Sequence, residues 1–384
     1  MHDAIIVGGG PAGLHAAWKL ARAGSDVVLF EEHPTSGEPV HCTGVLAADA
    51  FDEFELSADS ILNELRTVRF VAPSGATIDH STQTVEAVVI DRARFDSRLA
   101  ERASHAGVRI QYGGRVTNVD VDAEGVTVTV GNTTARASAV VLACGASYAV
   151  QRKMGLGTPR LLLHSAQAEL PAARLGDVEV HFGEHVAPRG FAWAVPVQRD
   201  RPYVRVGVMA DKDAGRYFSR VLDAIAPRWG VDRAACGPPR QKILPLAPIE
   251  RTFANRVLVL GDAAGLVKPK TGGGIYYSLV SASLAAETLT KALHAGDLSA
   301  DALASYQVQW RKRLGSELRW QLVLRRVAQR LTDSDIDGLF ELARTDGLMP
   351  LVRRTAAFNH HREFIVALLK HPPARRVLFR AALA

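Results

Sequence analysis

The chain has 384 residues and a mass of 41.4 kDa, with 47% hydrophobic and 22% charged residues, a make-up that excludes general disorder and suits about two to three domains. Its three cysteines, Cys42, Cys144 and Cys236, have neither the number nor the spacing of a zinc site or disulfide framework, which excludes a stapled secreted scaffold and points to a reducing compartment. The net charge of +6 is concentrated in residues 301–384, which hold 15 Lys/Arg against 8 Asp/Glu; no nucleic-acid-binding motif accompanies it, so no nucleic-acid partner is expected.

Ala4–Val7 reads as a strand, with no basic segment or cleavage site before it. No apolar run reaches the roughly 18 residues of a membrane span. A cytoplasmic protein is expected, or one held at a membrane surface. Residues 11–23 read as a helix and 26–30 as a second strand, a βαβ start. Residues 94–106 look helical. Strands are expected at 108–112, 115–121 and 126–130, with a hairpin turn at Glu124-Gly125. Residues 139–143 form a short apolar run that suits a buried parallel strand. Between 156 and 249 the texture changes to mixed β structure, with strand-like runs at 177–182, 191–197 and 203–209. A buried strand at 256–260, a glycine-rich loop and a helix at 275–294 follow. Beyond 302 the pattern is helical, with breaks expected near Gly338, Gly347 and Pro350.

Two motifs carry chemistry. Gly8-Gly9-Gly10-Pro11-Ala12-Gly13 lies between the first strand and its helix. Gly8 permits the tight turn, Gly10 lets a pyrophosphate approach the backbone, and Gly13 lets the helix pack close to the sheet. The helix start then offers free N–H groups to phosphates. Glu31 ends the second strand 18 residues after Gly13, where a carboxylate accepts from ribose hydroxyls. This is a dinucleotide-binding arrangement, and by itself it does not separate FAD from NAD.

The second motif, Leu258-Val-Leu-Gly-Asp262-Ala-Ala-Gly265, resembles the second FAD motif of the glutathione-reductase-like flavoproteins, whose Asp binds the ribityl chain. Its loop continues through Gly272-Gly273-Gly274 into a helix whose N-terminus can aim N–H groups at N1 and O2 of an isoalloxazine. Val89-Ile90-Asp91-Arg92-Ala-Arg94-Phe95-Asp96 resembles the helix start of the same class, which places Arg92 near FAD; the residues alone equally suit a solvated arginine. Cys144-Gly145 resembles the strand end that packs near the dinucleotide, with Cys144 as a small core residue.

Three segments narrow the resemblance: Glu38-Pro39-Val40-His41-Cys42-Thr43-Gly44, Gly190-Phe191-Ala192-Trp193-Ala194-Val195-Pro196, and Gly261 to Ile275. They are similar to the cysteine loop, the substrate motif and the flavin loop of the geranylgeranyl reductase family, within the para-hydroxybenzoate-hydroxylase-like flavoproteins. The similarity runs from residue 1 to about 295. The resemblance implies an α/β fold: a Rossmann-like, glutathione-reductase-like FAD-binding domain, an inserted mixed β-sheet substrate domain and a helical C-terminal segment. The expected boundaries are 1–65, 91–155 and 250–295 for the FAD-binding domain, 66–90 and 156–249 for the substrate domain, and 296–384 for the helical segment. It also implies FAD contacts from Gly8, Gly10, Pro11, Ala12, Gly13, Glu31 and Glu32; from Cys42, Thr43, Gly44, Arg92, Val116, Cys144 and Gly145; and from Gly261, Asp262, Gly265, Pro269, Gly272, Gly273, Gly274 and Ile275. Phe191, Trp193 and Pro196 are the implied substrate contacts. The family's Tyr, Phe and Lys at the substrate motif are here Phe191, Val195 and Val197, which weakens any head-group role for them.

The implied activity is saturation of isoprenoid C=C bonds. An unpolarised trisubstituted alkene accepts a hydride from reduced flavin only as a proton builds tertiary cation character at the other carbon. Cys42 is the implied acid, since a thiol of pKa about 8.5 is protonated at neutral pH; a water held by Cys42 and His41 serves equally. By itself Cys42 also fits a buried small hydrophobe. Trp193 and Phe191 suit an apolar channel, whereas Tyr276 and Tyr277 read as core. The basic segment Arg311, Lys312, Arg313, Arg319, Arg325, Arg326 and Arg330 suits either a solvated helix face or an anionic lipid surface that delivers a lipid substrate. His360-His361 has no metal-ligand spacing and reads as surface, so no metal is expected. The alternative activity is a flavin monooxygenase or, less well supported, a halogenase, which needs an early lysine; none stands between Lys19 and Lys153. The electron donor is NADPH, NADH or a ferredoxin, and the oligomeric state is left open.

Overall fold

The buried apolar runs come together in one sheet. In the computed structural model, which describes residues 1–345, 348–355, 358–359 and 361–383, His2–Val7 lies between Thr133–Leu142 and Val27–Phe30, parallel to both. Val257–Val259 and Arg109–Gln111 extend the sheet on either side, again parallel. Strands covered on both faces read as continuous aliphatic runs, which is why they were legible. The third strand is longer than 139–143. Its polar first half, from Thr133, pairs antiparallel with the hairpin Val116–Val121 and Val126–Val130, and only its apolar second half lies in the parallel core.

Helix Pro11–Arg22 starts with proline in its first turn, where the missing N–H costs no bond. It packs on Ile275–Ala295 and Arg92–His105. A Cβ on Gly13 would stand 1.9 Å from the Gly8 carbonyl oxygen, so only glycine lets this helix start lie on the strand end.

The second sheet has seven strands in the order Arg240–Pro245, Leu162–Pro171, Pro202–Ala210, Phe191–Gln198, Val178–His181, Thr67–Val71 and Thr77–Ser81. It is mixed: Val178–His181 runs parallel to Thr67–Val71, and the other pairs are antiparallel. One face is covered by helix Ala214–Trp229, through Phe218, Val221, Leu222, Ile225 and Trp229. The sequence reading passed over this helix, although its apolar spacing is helical, because Pro227 interrupts the pattern near its end. It also passed over Leu162–Pro171 and Arg240–Pro245. The first carries Ser165, Gln167 and Glu169 on its inner face, and the second is a polar edge strand, so neither shows clear alternation. A three-stranded sheet, Val45–Ala47, Ala87–Ile90 and Ile61–Leu65, lies beside them.

The C-terminal part is helical: Ala300–Ala328, Asp333–Thr345, Leu348–Thr355, Arg362–Lys370 and Pro372–Leu383. Gly338 does not break the chain but lies inside Asp333–Thr345, and Pro350 sits in the first turn of Leu348–Thr355, where proline is tolerated. Gly347 lies outside the described residues. Ala300–Ala328 buries Leu303, Tyr306, Trp310, Leu314 and Leu318 and exposes Arg311, Lys312, Arg319 and Arg326. Arg325 departs from the expected basic face: it is 5% exposed and points inward. Among the described residues no helix is long and apolar enough to cross a membrane.

Candidate active site

The two sheets and the C-terminal helices enclose a cavity of about 1320 Å³. At one end it meets the Gly8–Gly10 turn. Gly8 has φ +107°, and a Cβ there would stand 2.4 Å from the Ala143 carbonyl oxygen. A Cβ on Gly10 would meet no protein atom within 4 Å, so this backbone lies open to the cavity. The buried Glu31 carboxylate accepts the Gly9 N–H at 2.6 Å and the His33 N–H at 2.9 Å. The His33 ring Nδ1 lies against the same carboxylate at 2.5 Å; a carboxylate has about four acceptor sites, so one remains for a hydroxyl. An open glycine turn at a helix N-terminus with a carboxylate beside it fits the pyrophosphate and ribose of a dinucleotide.

Pro11, Ala12, Glu32, Val116, Cys144 and Gly145 line the same end. Burial pushes the Cys144 thiol up to about 11, in keeping with a core residue. Farther in stand Asp262, the three glycines Gly272–Gly274 and Ile275, which opens helix Ile275–Ala295. A Cβ on Gly274 would be 2.8 Å from Asp262 Oδ1, so the carboxylate lies directly over this helix start.

Five implied residues do not line the cavity. Gly13 acts through helix packing, as above. Gly261 and Gly265 act through the backbone: both have positive φ, and a Cβ on Gly265 would stand 2.1 Å from the Ala247 carbonyl oxygen. Pro269 turns its carbonyl toward the buried Arg325. Pro196 is a correction. Side chains alternate along Phe191–Gln198; Phe191, Trp193 and Val195 face the cavity, so Pro196 faces away with Ala192 and Ala194. It lies past the last residue pair with Val178–His181 and opposite Val204 of Pro202–Ala210.

The Cys42 loop crosses the cavity wall. Cys42 Sγ accepts the Gly44 N–H at 3.3 Å, and Thr43 Oγ1 donates to Gln167 Oε1 at 2.8 Å. Arg92 is half-buried rather than solvated. It pairs with Asp96 at 2.7 Å and stands near Cys42, while its Nε has no partner among the described residues. Burial, with Lys242, Arg240 and His33 nearby, holds His41 below the usual histidine range. His41 is therefore a neutral imidazole at pH 7, a poor acid.

Beyond Cys42 the cavity turns apolar. Trp193, Phe191, Phe182 and Phe340 form a ladder from the sheet into the C-terminal helices, with centroids 5.7, 6.5 and 6.2 Å apart. Leu339, Leu348, Val352, Leu368 and Leu378 close the far end. Tyr276 and Tyr277 are core, 5% and 1% exposed. His361 is half-buried on the cavity wall rather than at the surface, and His360 lies outside the described residues. Sequence reading missed Gly207, Phe182, Phe340 and Lys268. Lys268 is 3% exposed, with Nζ donating to Asn359 Oδ1 at 2.7 Å and to the Phe358 carbonyl at 2.9 Å. Burial pulls this amine down to about 7.

Comparison with known proteins bears on this arrangement. The family model described as Lycopene cyclase protein matches residues 3–341. Digeranylgeranylglycerophospholipid reductase 2 of Methanothermobacter thermautotrophicus is 30% identical over 350 residues, covering 88% of this chain and 90% of that protein. Digeranylgeranylglycerophospholipid reductase 1 of Methanopyrus kandleri is 30% identical over 377 residues, covering 90% and 98%. This chain belongs to the geranylgeranyl reductase family of FAD-dependent oxidoreductases. A solved geranylgeranyl bacteriochlorophyll reductase-like protein from Thermoplasma acidophilum shares the fold at TM-score 0.86 and 22% identity, covering 99% of each chain. A mutant of the halogenase PltM in complex with FAD shares it at TM-score 0.70 and 15% identity, covering 99% of this chain and 85% of that one. Both likenesses concern the fold. In a family of FAD enzymes, the glycine turn, Glu31 and the Asp262–Ile275 loop are the residues that fit the cofactor.

Proposed function

We propose that this family member saturates isoprenoid double bonds carried on a lipid, with Cys42 as the proton donor. The observation that carries the reading is the continuity of the cavity, which runs from the open glycine turn past Cys42 into a branch walled by aromatic and aliphatic side chains. FAD, when bound, supplies the hydride. The apolar branch holds the prenyl chain and excludes water from it. The Cys42 thiol gives its proton to the less substituted alkene carbon, the other carbon receives the hydride, and solvent reprotonates the sulfur. Product thus gains two hydrogens per bond. Neutral His41 has no imidazolium proton to give, which is why the reading puts the proton on Cys42.

In this reading residues 1–65, 91–155 and 250–295 bind FAD, 66–90 and 156–249 shape the substrate site, and 296–384 roof it. The exposed basic face of Ala300–Ala328 rests on an anionic lipid surface at the cytoplasmic side. Electrons arrive from a nicotinamide nucleotide or a ferredoxin. The testing experiment is an anaerobic single turnover. FAD-loaded protein is reduced with dithionite and mixed with geranylgeranyl diphosphate or a geranylgeranyl lipid. Return of oxidised-flavin absorbance with a gain of two hydrogens per double bond supports the proposal. No reoxidation across prenyl substrates, with rapid reoxidation on admitting oxygen, overturns it in favour of a monooxygenase.

A further inference from the structure

The Cys42 loop is held from the substrate-side sheet by one buried guanidinium. Arg205, 3% exposed, lies on Pro202–Ala210, on the same face as Gly207 and Met209 and so toward the cavity. Its Nη1 donates to two carbonyls, Thr43 at 2.6 Å and Ile90 at 2.9 Å. Thr43 follows Cys42; Ile90 precedes Asp91 and Arg92. One nitrogen therefore joins the segment carrying the thiol to the helix start carrying its Arg92 neighbour.

The guanidinium is itself fixed. Its Nε donates to Glu169 Oε2 at 2.7 Å. Glu169 Oε1 accepts from Arg199 Nε at 3.1 Å, and Arg199 Nη1 donates to Asp91 at 2.6 Å. Asp91 caps helix Arg92–His105 by accepting the Arg94 N–H. The ring of contacts closes on the backbone beside Cys42. Gly44 makes the approach feasible: its φ is +72°, and a Cβ there would stand 2.6 Å from Arg205 Nη1 and 2.7 Å from the Ile90 carbonyl oxygen. Two charged-group hydrogen bonds on adjoining carbonyls constrain a loop more than neutral ones do.

We propose that Arg205 is a positioning residue for Cys42, setting the thiol against Arg92 and the cavity; this rests on the reading of Cys42 as the working thiol. The glycine turn, Glu31 and the Asp262–Ile275 loop lie outside the ring, so FAD retention is expected to survive its loss even though the implied contacts Thr43 and Gly44 adjoin it.

The test compares Arg205→Met, Arg205→Lys and Glu169→Gln with the parent, measuring iodoacetamide labelling of Cys42 by peptide mass analysis across pH, flavin content, and kcat and KM. The expected result for Arg205→Met is several-fold faster labelling with a shifted pH profile, retained flavin, and kcat down about 10²-fold at near-parent KM, as for a misplaced reacting group. Arg205→Lys, which has a single nitrogen and no separate Nε to hold Glu169 while it bonds the two carbonyls, falls between. If Arg205→Met does not fold, Glu169→Gln, which leaves Arg205 in place without its charged anchor, gives the smaller shift in the same direction. Unchanged labelling in Arg205→Met, or in Glu169→Gln where that variant stands in, overturns the proposal. Because labelling is read on Cys42 itself, it judges the positioning even where Cys42→Ser turns over like the parent and the acid reading fails.

Discussion

Gly207 faces the indole of Trp193 so closely that a Cβ on it would stand 2.3 Å from the ring. The two are direct cross-strand partners. Trp193 lies flat over the neighbouring strand because that strand has no side chain there, and the ring thereby becomes the first rung of the aromatic wall. Its Nε1 is buried without a partner among the described residues, so the ring is held by packing alone.

Gly207→Ala should therefore move Trp193 rather than unfold the protein. An added methyl in a packed site costs about 1–3 kcal/mol. The variant is expected to retain FAD and lose kcat/KM for prenyl substrates mostly through KM. Flavin absorbance and steady-state kinetics check it; an unchanged KM contradicts the channel role of Trp193.

The glycine turn separates cofactor contact from packing. Gly10→Ala meets no protein atom, so the apo-protein should melt as the parent does while FAD affinity falls about tenfold or more, since the methyl stands where the pyrophosphate must approach. Gly13→Ala drives a methyl into the Gly8 carbonyl and should lower the apo melting temperature itself. Scanning calorimetry with and without FAD distinguishes them; equal effects of both variants on the apo-protein contradict the assignment.

Cys42→Ser should leave FAD content and dithionite reduction intact and slow the single turnover about 10²–10³-fold, within the range for losing a general acid. A rate within about twofold of the parent would transfer the acid role to a water beside His41.

What could be read from the sequence was set by how local each cause is. The glycine turn, Glu31 and the Asp262–Gly274 loop are contiguous patterns whose residue types follow from backbone geometry, and they carried the expectation of FAD. Pro196 was misplaced because a motif names residues without naming faces; the period of two turns it away. Leu162–Pro171 was missed because Gln167 and Glu169 spend their positions on polar partners, Thr43 of the Cys42 loop and the guanidinium groups of Arg199 and Arg205, rather than on a core. Phe182, Phe340 and Lys268 were invisible for another reason. Phe182 and Phe340 lie 158 positions apart, and their contact exists only once the C-terminal helices fold back over the sheet.

Lys268 joins the flavin loop to that roof through Asn359, whose Nδ2 in turn donates to Asp49 at 3.0 Å. Burial lowers the amine from 10.5 to about 7, against the pull of Asp49 and Glu317. The unfolded chain binds this proton up to about pH 10.5, and the folded chain only up to about 7. Between those values unfolding takes up a proton, so the contribution of Lys268 to stability is least favourable below pH 7 and improves as pH rises, by at most about 5 kcal/mol. Lys268→Met carries no such titration. It also loses the Asn359 bond, a roughly constant deficit. Urea midpoints for both proteins at several pH values test this. The variant is expected to compare best with the parent near pH 6 and to fall progressively behind toward pH 9–10. Parallel curves would mean that Lys268 titrates alike in both states, and that the amine is solvated rather than locked into the roof.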